Sequence, residues 1–325
     1  MISIIIPIFN GEKYIDSCMK SLMHTKVDIE IILVNDGSKD NTKKKLQEYK
    51  KNSNITIINQ ENKGVSLARN KGIEVAKGDY IMFCDVDDYY DNNVLLLVCK
   101  KLKEENPDLL IFGRKDIQEK KILCTYPIEK IRNNISNVEY LEEIFCKGFH
   151  TYSVCNKVYK RSIIEKNDIK FNEDIHLSED TLFNLEYIVN CKKISVEQKC
   201  YYIRFYNNGS TIYKQYNDFY WDNIKIINLF VDFVNNSSLY KKAIDELYKH
   251  YAVVSIDRIC TGIDKQSRLK DIENIDEILK DIHNREIKMS NAKGIKNKIL
   301  YLLMNDKQSI LIYFIFSYIR NKYLY

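Results

Sequence analysis

The chain has 325 residues, 45% of them hydrophobic, with 50 basic against 45 acidic side chains. That length supports a large core and more than one domain, and the composition excludes a disordered chain. Nine cysteines without a Cys-x-x-Cys pair exclude a disulfide framework and point to free thiols. Ile2 to Ile6 runs directly into a strand-like segment with no basic leader region, and no apolar stretch reaches bilayer length. A cytoplasmic protein is expected, stationed at the inner face of a membrane if its tail binds lipid. The basic excess lies in Arg285 to Tyr325, with eight basic residues against two acidic, and the rest is nearly balanced. With no basic stripe on the main body and neither an RNP-like nor a zinc-finger spacing, a nucleic-acid partner is not expected.

In chain order, Ile2 to Ile6 reads as a buried strand closed by Pro7. A turn over Ile8 to Gly11 leads to a helix with Tyr14, Ile15, Cys18, Met19 and Leu22 on its apolar face. Ile29 to Val34 is a second buried strand, ended by Asn35, Asp36, Gly37 and Ser38, with Ser38 the expected N-cap of a helix through Tyr49. Ile55 to Ile58 is a third strand. Gly64 opens a helix containing Leu67, Ala68, Arg69, Asn70 and Ile73, with Gly78 as its C-cap residue. Tyr80 to Cys84 then reads as a central strand, followed by a helix from Asn92 to Glu105 and a strand at Asp108 to Phe112. The alternation predicts an α/β fold with a doubly wound, mostly parallel sheet.

The strand ends collect the polar chemistry: Phe9 and Asn10, then Asp36, then Asp85, Asp87 and Asp88. In open α/β sheets the ligand crevice lies outside the carboxyl ends of the strands. Three carboxylates within four residues repel one another, and hard oxygen donors without His or Cys suit Mg²⁺ or Mn²⁺. An acidic turn before a helix explains the same residues without a metal. Together the strand ends fit a nucleoside diphosphate, with Phe9 against the base or ribose, Asp36 accepting from a base N–H and a cation at the phosphates.

Ile4 to Asn10, the Asn35 to Ser38 turn, Gly64 to Asn70 and Gly78 to Asp88 together resemble the nucleotide-binding half of the family 2 glycosyltransferases. These are inverting enzymes of the GT-A fold, found among bacterial polysaccharide and lipooligosaccharide enzymes, and the likeness covers about the first 112 residues. The resemblance implies a UDP-sugar donor held by Pro7, Phe9, Asn10, Glu12, Asp36, Arg69, Asp85 and Val86. It implies that Asp85, Val86, Asp87 is the Asp-x-Asp motif, with Asp85 near the ribose, Asp87 on Mn²⁺ or Mg²⁺, and Asp88 a second carboxylate there. Asn35 stands where many members have Asp.

Residues 113 to 150 are expected to be irregular apart from a helix near Val138 to Cys146. Val154 to Arg161 reads as a short strand entering a helix at Ser162, and Ser178 or Asp180 starts a helix reaching Val189. Glu179 and Asp180 have an ordinary reading as first-turn acids. The segment resembles the family's Glu-Asp motif, which makes Asp180 the general base and Glu179 its fallback. Asn156, Lys157 and His176 are expected on the acceptor side, and Arg204, at the end of a strand, reaches the diphosphate or is simply an exposed strand-end charge.

From Asp218 the chain reads as helices: Phe219 to Val234, Tyr240 to Cys260, Lys270 to Ile282, Ile299 to Leu303 and Ile310 to Ile319. The apolar run Ile310 to Phe316, flanked by basic residues and tyrosines, suits an interfacial helix on anionic lipid through 299–325. Equally, it suits a helix packed on the catalytic domain or in a homodimer. The expected domains are a donor-binding half over 1–112, an acceptor-binding half over 113–217 and a helical region over 218–325. The expected activity moves a sugar from a UDP-sugar to a hydroxyl of a glycan or lipid-linked oligosaccharide acceptor. A sugar-phosphate nucleotidyltransferase would need a Gly-rich loop after the first strand, which Pro7 to Glu12 lacks, and a non-catalytic sugar-nucleotide-binding or scaffold protein would not need both acid clusters.

Overall fold

A computed structural model describes residues 1–23, 27–118, 121–126, 135–141, 152–175, 177–205, 218–261, 264, 266–287, 309 and 312. They fall into two compact units, one drawn from residues 1–207 and the other from 208–325.

The first unit is built on one sheet. Strands β1 (Ile2–Ile8), β2 (Ile29–Asp36), β3 (Ile55–Gln60) and β4 (Tyr80–Phe83) run parallel in the order β3-β2-β1-β4. β1 is buried along its whole length, which is why its sequence is a continuous apolar run rather than an alternation. Helices α1 (Ile15–Met23), α2 (Thr42–Leu46), α3 (Val65–Val75) and α4 (Val94–Glu105) connect the strands, and α3 packs on β1 and β2. The sheet continues through β8 (Lys157–Lys160), β6 (Leu109–Gln118), β9 (Ile194–Phe205) and the short β5 (Tyr89–Tyr90), while β7 (Lys121–Tyr126) pairs with β6. Helix α5 (Arg161–Lys166) follows β8, and α6 (Glu179–Val189) precedes β9.

Six of these strands share one direction, with β8 antiparallel to both neighbours and β5 and β7 antiparallel to β9 and β6. The strict strand-helix alternation therefore ends at β4. Strand direction is set by the path of the connections, which an apolar run does not encode. The expected irregular stretch after residue 112 is instead the continuation of β6 with its antiparallel partner β7. Its charged residues made it read as a loop, but Arg114 and Arg204 both pair with Asp116, at 2.9 Å and 2.5 Å, so the carboxylate is shared between two cations on the sheet. The helix expected near Val138 is present over 137–141, and its continuation lies outside the described residues.

Two cap assignments also change. Ser38 does not cap α2, which begins at Thr42; its hydroxyl accepts from the Asn10 N–H at 2.9 Å instead. Gly78 does not end α3, which stops at Val75; a Cβ there would meet the Ser3 backbone nitrogen at 2.6 Å, so glycine serves a close approach to β1.

An aromatic cluster fixes α6 on the sheet. Phe183 stacks on Phe171 at 4.2 Å and meets Phe83 and Tyr159 edge to face at 5.8 and 5.5 Å. Such pairs contribute roughly 0.5 to 1.5 kcal/mol each beyond their buried area. Asn184 adds polar pins, accepting from the Tyr159 hydroxyl at 2.7 Å and donating to the Tyr152 carbonyl at 2.5 Å.

The second unit contains α7 (Phe219–Phe233), α8 (Lys241–Thr261) and α9 (Arg268–Asn284), with α8 packing against both others. Tyr220 donates to Asp281 at 2.7 Å, and Arg258 pairs with Asp264 while lying over the Phe219 ring. No helix among the described residues is long and apolar enough to cross a membrane. Of the expected tail helices only Ser309 and Ile312 are described, and Ile312 is buried.

Candidate active site

The site is organised by a buried arginine. Arg69 on α3 is 3% exposed, and its guanidinium lies over the Phe171 ring, 5.1 Å from the centroid. One terminal nitrogen donates to Glu179 at 2.8 Å and to Asp180 at 2.7 Å, and the other donates to Asp85 at 3.0 Å. Neighbouring Asn70 fixes the aromatic floor by exchanging two 2.8 Å hydrogen bonds with the Phe171 backbone. Acids 94 and 95 residues apart in the chain, at the end of β4 and the start of α6, are thereby brought to one point.

One guanidinium cannot balance three carboxylates. Burial, with the charges of Glu179 and Asp85 adding to it and Arg69 opposing, pushes the Asp180 carboxyl up to about 7. The second Asp180 oxygen accepts from the Val154 N–H at 3.1 Å. Ser178 takes the left-handed conformation at φ +65° as α6 begins, which aims both acids inward from the first turn.

The turn after β4 separates two adjacent aspartates. Burial, and then the charge of Asp85, pushes Asp87 up to about 6, while Arg204 opposes the shift. Asp88 is 3% exposed; it accepts from the Tyr202 hydroxyl and from the Phe205 N–H, the latter at 2.7 Å. Asp88, expected beside Asp87 on a metal, also anchors the end of β9, each of its oxygens taking one protein donor.

Among the described residues no three His, Cys, Asp or Glu side chains form a metal-holding group. The hard-oxygen donor Asp87, under-compensated in charge, still fits Mg²⁺ or Mn²⁺, which are commonly held by one or two carboxylates with substrate phosphates completing the shell.

The first two strand ends adjoin this turn. Val86 lies against Gly11, where a Cβ would be 3.2 Å from its methyl groups. Pro7 is buried, Phe9 is 46% exposed at the rim, and Asn10 takes φ +52° with its side chain accepting from the Lys39 N–H. Glu12, expected at the nucleotide, instead accepts from the backbone and side-chain nitrogens of Asn41 at 3.2 and 3.0 Å, because it faces the start of α2. Asp36 accepts from Gln60, the Lys63 N–H and the Gly64 N–H, all within 2.9 Å. Its oxygens have about four acceptor sites in all, so one remains for a ligand N–H. Gly37, at φ +67°, has Asn62 packed where a Cβ would sit, which keeps that turn tight.

Other expected residues sit elsewhere. Asn156 and Lys157, placed on the acceptor side by sequence, are buried. Asn156 donates to the Phe112 carbonyl and Lys157 to the Ser153 carbonyl, so they hold the turn that presents Val154 to Asp180. Burial pulls the Lys157 ammonium down to about 7, against the pull of the Asp180 charge. Arg204 is engaged by Asp116 at the end of β9, and the loop after it lies outside the described residues, as does His176. Sequence reading assigned no role to Phe171, Asn70, Val154, Tyr202 or Asp116. Only Asn70, next to Arg69 in a recognised segment, carried a usable signal.

A family model for glycosyl transferase family 2 matches residues 3–167. The uncharacterized glycosyltransferase EpsJ of Bacillus subtilis is 32% identical over 215 residues, covering 65% of this chain and 62% of its own. The poly(ribitol-phosphate) beta-glucosyltransferase of Bacillus spizizenii is 32% identical over 203 residues, covering 60% of this chain and 30% of its own. The chain thus spans less than two thirds of the length of these relatives. Staphylococcus aureus TarS 1-349, solved in complex with UDP-GlcNAc, superposes with a TM-score of 0.72 at 23% identity, over 99% of this chain and 91% of that one. That likeness is one of fold, the GT-A arrangement. With the family model covering half its length, the chain belongs to glycosyl transferase family 2.

Proposed function

We propose that the protein is an inverting glycosyltransferase that moves a sugar from a UDP-sugar to a hydroxyl of a glycan acceptor, forming a β-linkage. The observation that carries this reading is the Arg69 hub, which ties the acid at the end of β4 to the acid pair at the start of α6. A TarS complex contains UDP-GlcNAc, and the relatives named above are glycosyltransferases, which supports a nucleotide-sugar donor.

In this reading the ends of β1, β2 and β4 hold the nucleotide. Phe9 lies against the base or ribose, Asp36 accepts from the base, and Asp85 lies near the ribose with Arg69 holding its orientation. Asp180 takes the proton of the acceptor hydroxyl as that oxygen attacks the anomeric carbon, and the Val154 N–H and Arg69 hold the carboxylate in place. Mn²⁺ or Mg²⁺, held by Asp87, would supply positive charge to the departing diphosphate. A single displacement from an α-linked donor gives a β-linked product. Residues 1–112 form the donor half and 113–217 the acceptor half. The basic, apolar stretch 299–325 brings the enzyme to anionic lipid, where a lipid-linked acceptor would be met.

Incubation with Mn²⁺ and a panel of UDP-sugars, following UDP release and the anomeric configuration of the product, tests the reading. UDP release with a β-linked product is expected. Pyrophosphate formed from UTP, or an α-linked product, refutes it.

A further inference from the structure

Within the helical unit, α7, α8 and α9 enclose a cavity of about 190 Å³ that no step of the proposed reaction uses. Its wall includes Phe219 and Trp221 from α7, Ser255 from α8, Asp264, and Asn274 and Glu277 from α9. Trp221 is 39% exposed, whereas its neighbour Tyr220 is buried. Ser255 is 3% exposed and its hydroxyl has no hydrogen-bond partner. A buried polar group left unpaired on a cavity wall calls for a partner inside the cavity, a water or a ligand hydroxyl that displaces it.

We propose that this cavity binds one pyranose ring of a glycan, as a subsite separate from the acid cluster. A part-exposed indole offers its face to the C–H side of a sugar ring, and carboxylates and an amide around it accept from and donate to vicinal hydroxyls. On the wall the carboxylates of Asp218, Asp264 and Glu277 outnumber the Lys270 ammonium and the Arg258 guanidinium that pairs with Asp264, so the balance is acidic and disfavours phosphate and other anions. The volume is below that of pockets that take larger ligands such as nucleotides, and no three-ligand metal group occurs among the described residues. That the bound sugar belongs to the acceptor rests on the transferase reading; the binding of a sugar does not.

Trp221 is the only tryptophan in the chain, so selectively excited emission from the full-length protein reports on this cavity. Titration with cellotetraose and with chitotetraose should give a saturable change in emission with at least one of them. The double variant Asn274→Ala, Glu277→Ala should weaken that binding about tenfold with an unchanged melting temperature, as expected for lost hydrogen bonds. No emission change with either oligosaccharide, an equal change with choline, or unaltered affinity in the variant overturns the proposal. UDP release from the donor panel is measured in parallel: sugar binding without transfer leaves the cavity standing and sinks the transferase reading, and transfer without sugar binding does the reverse.

Discussion

At the scale of single residues, Asp180 and Arg69 carry most of the functional argument. Asp180→Asn removes the proton acceptor and keeps the shape, so transfer should fall about 10² to 10⁴-fold while UDP affinity stays nearly unchanged. Isothermal titration with UDP beside the rate assay checks this, and a large loss of UDP binding would take Asp180 out of the base role. Because its carboxyl is pushed up to about 7, kcat/KM should rise as pH approaches 7 and level above it. The same shift acts on stability. Unfolded, Asp180 releases its proton near pH 3.9, so its contribution is fully present below that and is lost as pH rises to about 7. Melting temperatures of Asp180→Asn should therefore decline less than wild type between pH 4 and 7. Arg69→Met leaves three carboxylates without their shared cation, and urea unfolding at neutral pH should show a loss of about 3 to 5 kcal/mol. The loss should shrink in acid, where the carboxylates take up protons.

At the scale of elements, the turn joining β4 to β5 divides labour between adjacent acids. Asp88 secures the end of β9 through Tyr202 and Phe205, whereas Asp87 stays at the site. Asp88→Ala leaves two buried donors unpaired and should destabilise the protein by about 1 to 3 kcal/mol per donor, with the Mn²⁺ concentration for half-maximal activity unchanged in the folded fraction. Asp87→Ala removes a carboxylate whose ionised form burial disfavours, so the melting temperature at neutral pH should not fall, and it should raise that Mn²⁺ concentration sharply. Equal metal dependence in the two variants would contradict the division.

At the scale of the whole molecule, the site belongs to the sheet-based unit, and the sugar cavity belongs to the helical unit. The chain's excess charge belongs to neither sheet nor cavity but to Arg285 to Tyr325. Deleting residues 305–325 should abolish co-sedimentation with phosphatidylserine vesicles, and binding of the full chain should weaken as salt rises. Unchanged partitioning after the deletion would show that this stretch serves packing, a role in keeping with the burial of Ile312.

The sequence by itself determined the first four strands, because short apolar runs closed by Pro, Asn or Asp mark strands without reference to partners. It also marked out the acids that Arg69 joins, Asp85, Glu179 and Asp180, since each lies in a local concentration of carboxylates. The direction of β8, the β6 to β7 pairing and the burial of Asp88, Asn156 and Lys157 were decided by tertiary structure alone. The direction of β8 and the burial of Asp88 and Asn156 depend on partners far along the chain: β8 pairs with β4 and β6, Tyr202 lies 114 residues from Asp88, and Phe112 lies 44 from Asn156. Whether a polar side chain faces a ligand or satisfies a buried donor turns on which groups folding brings within 3 Å of it, and local pattern carries no record of that.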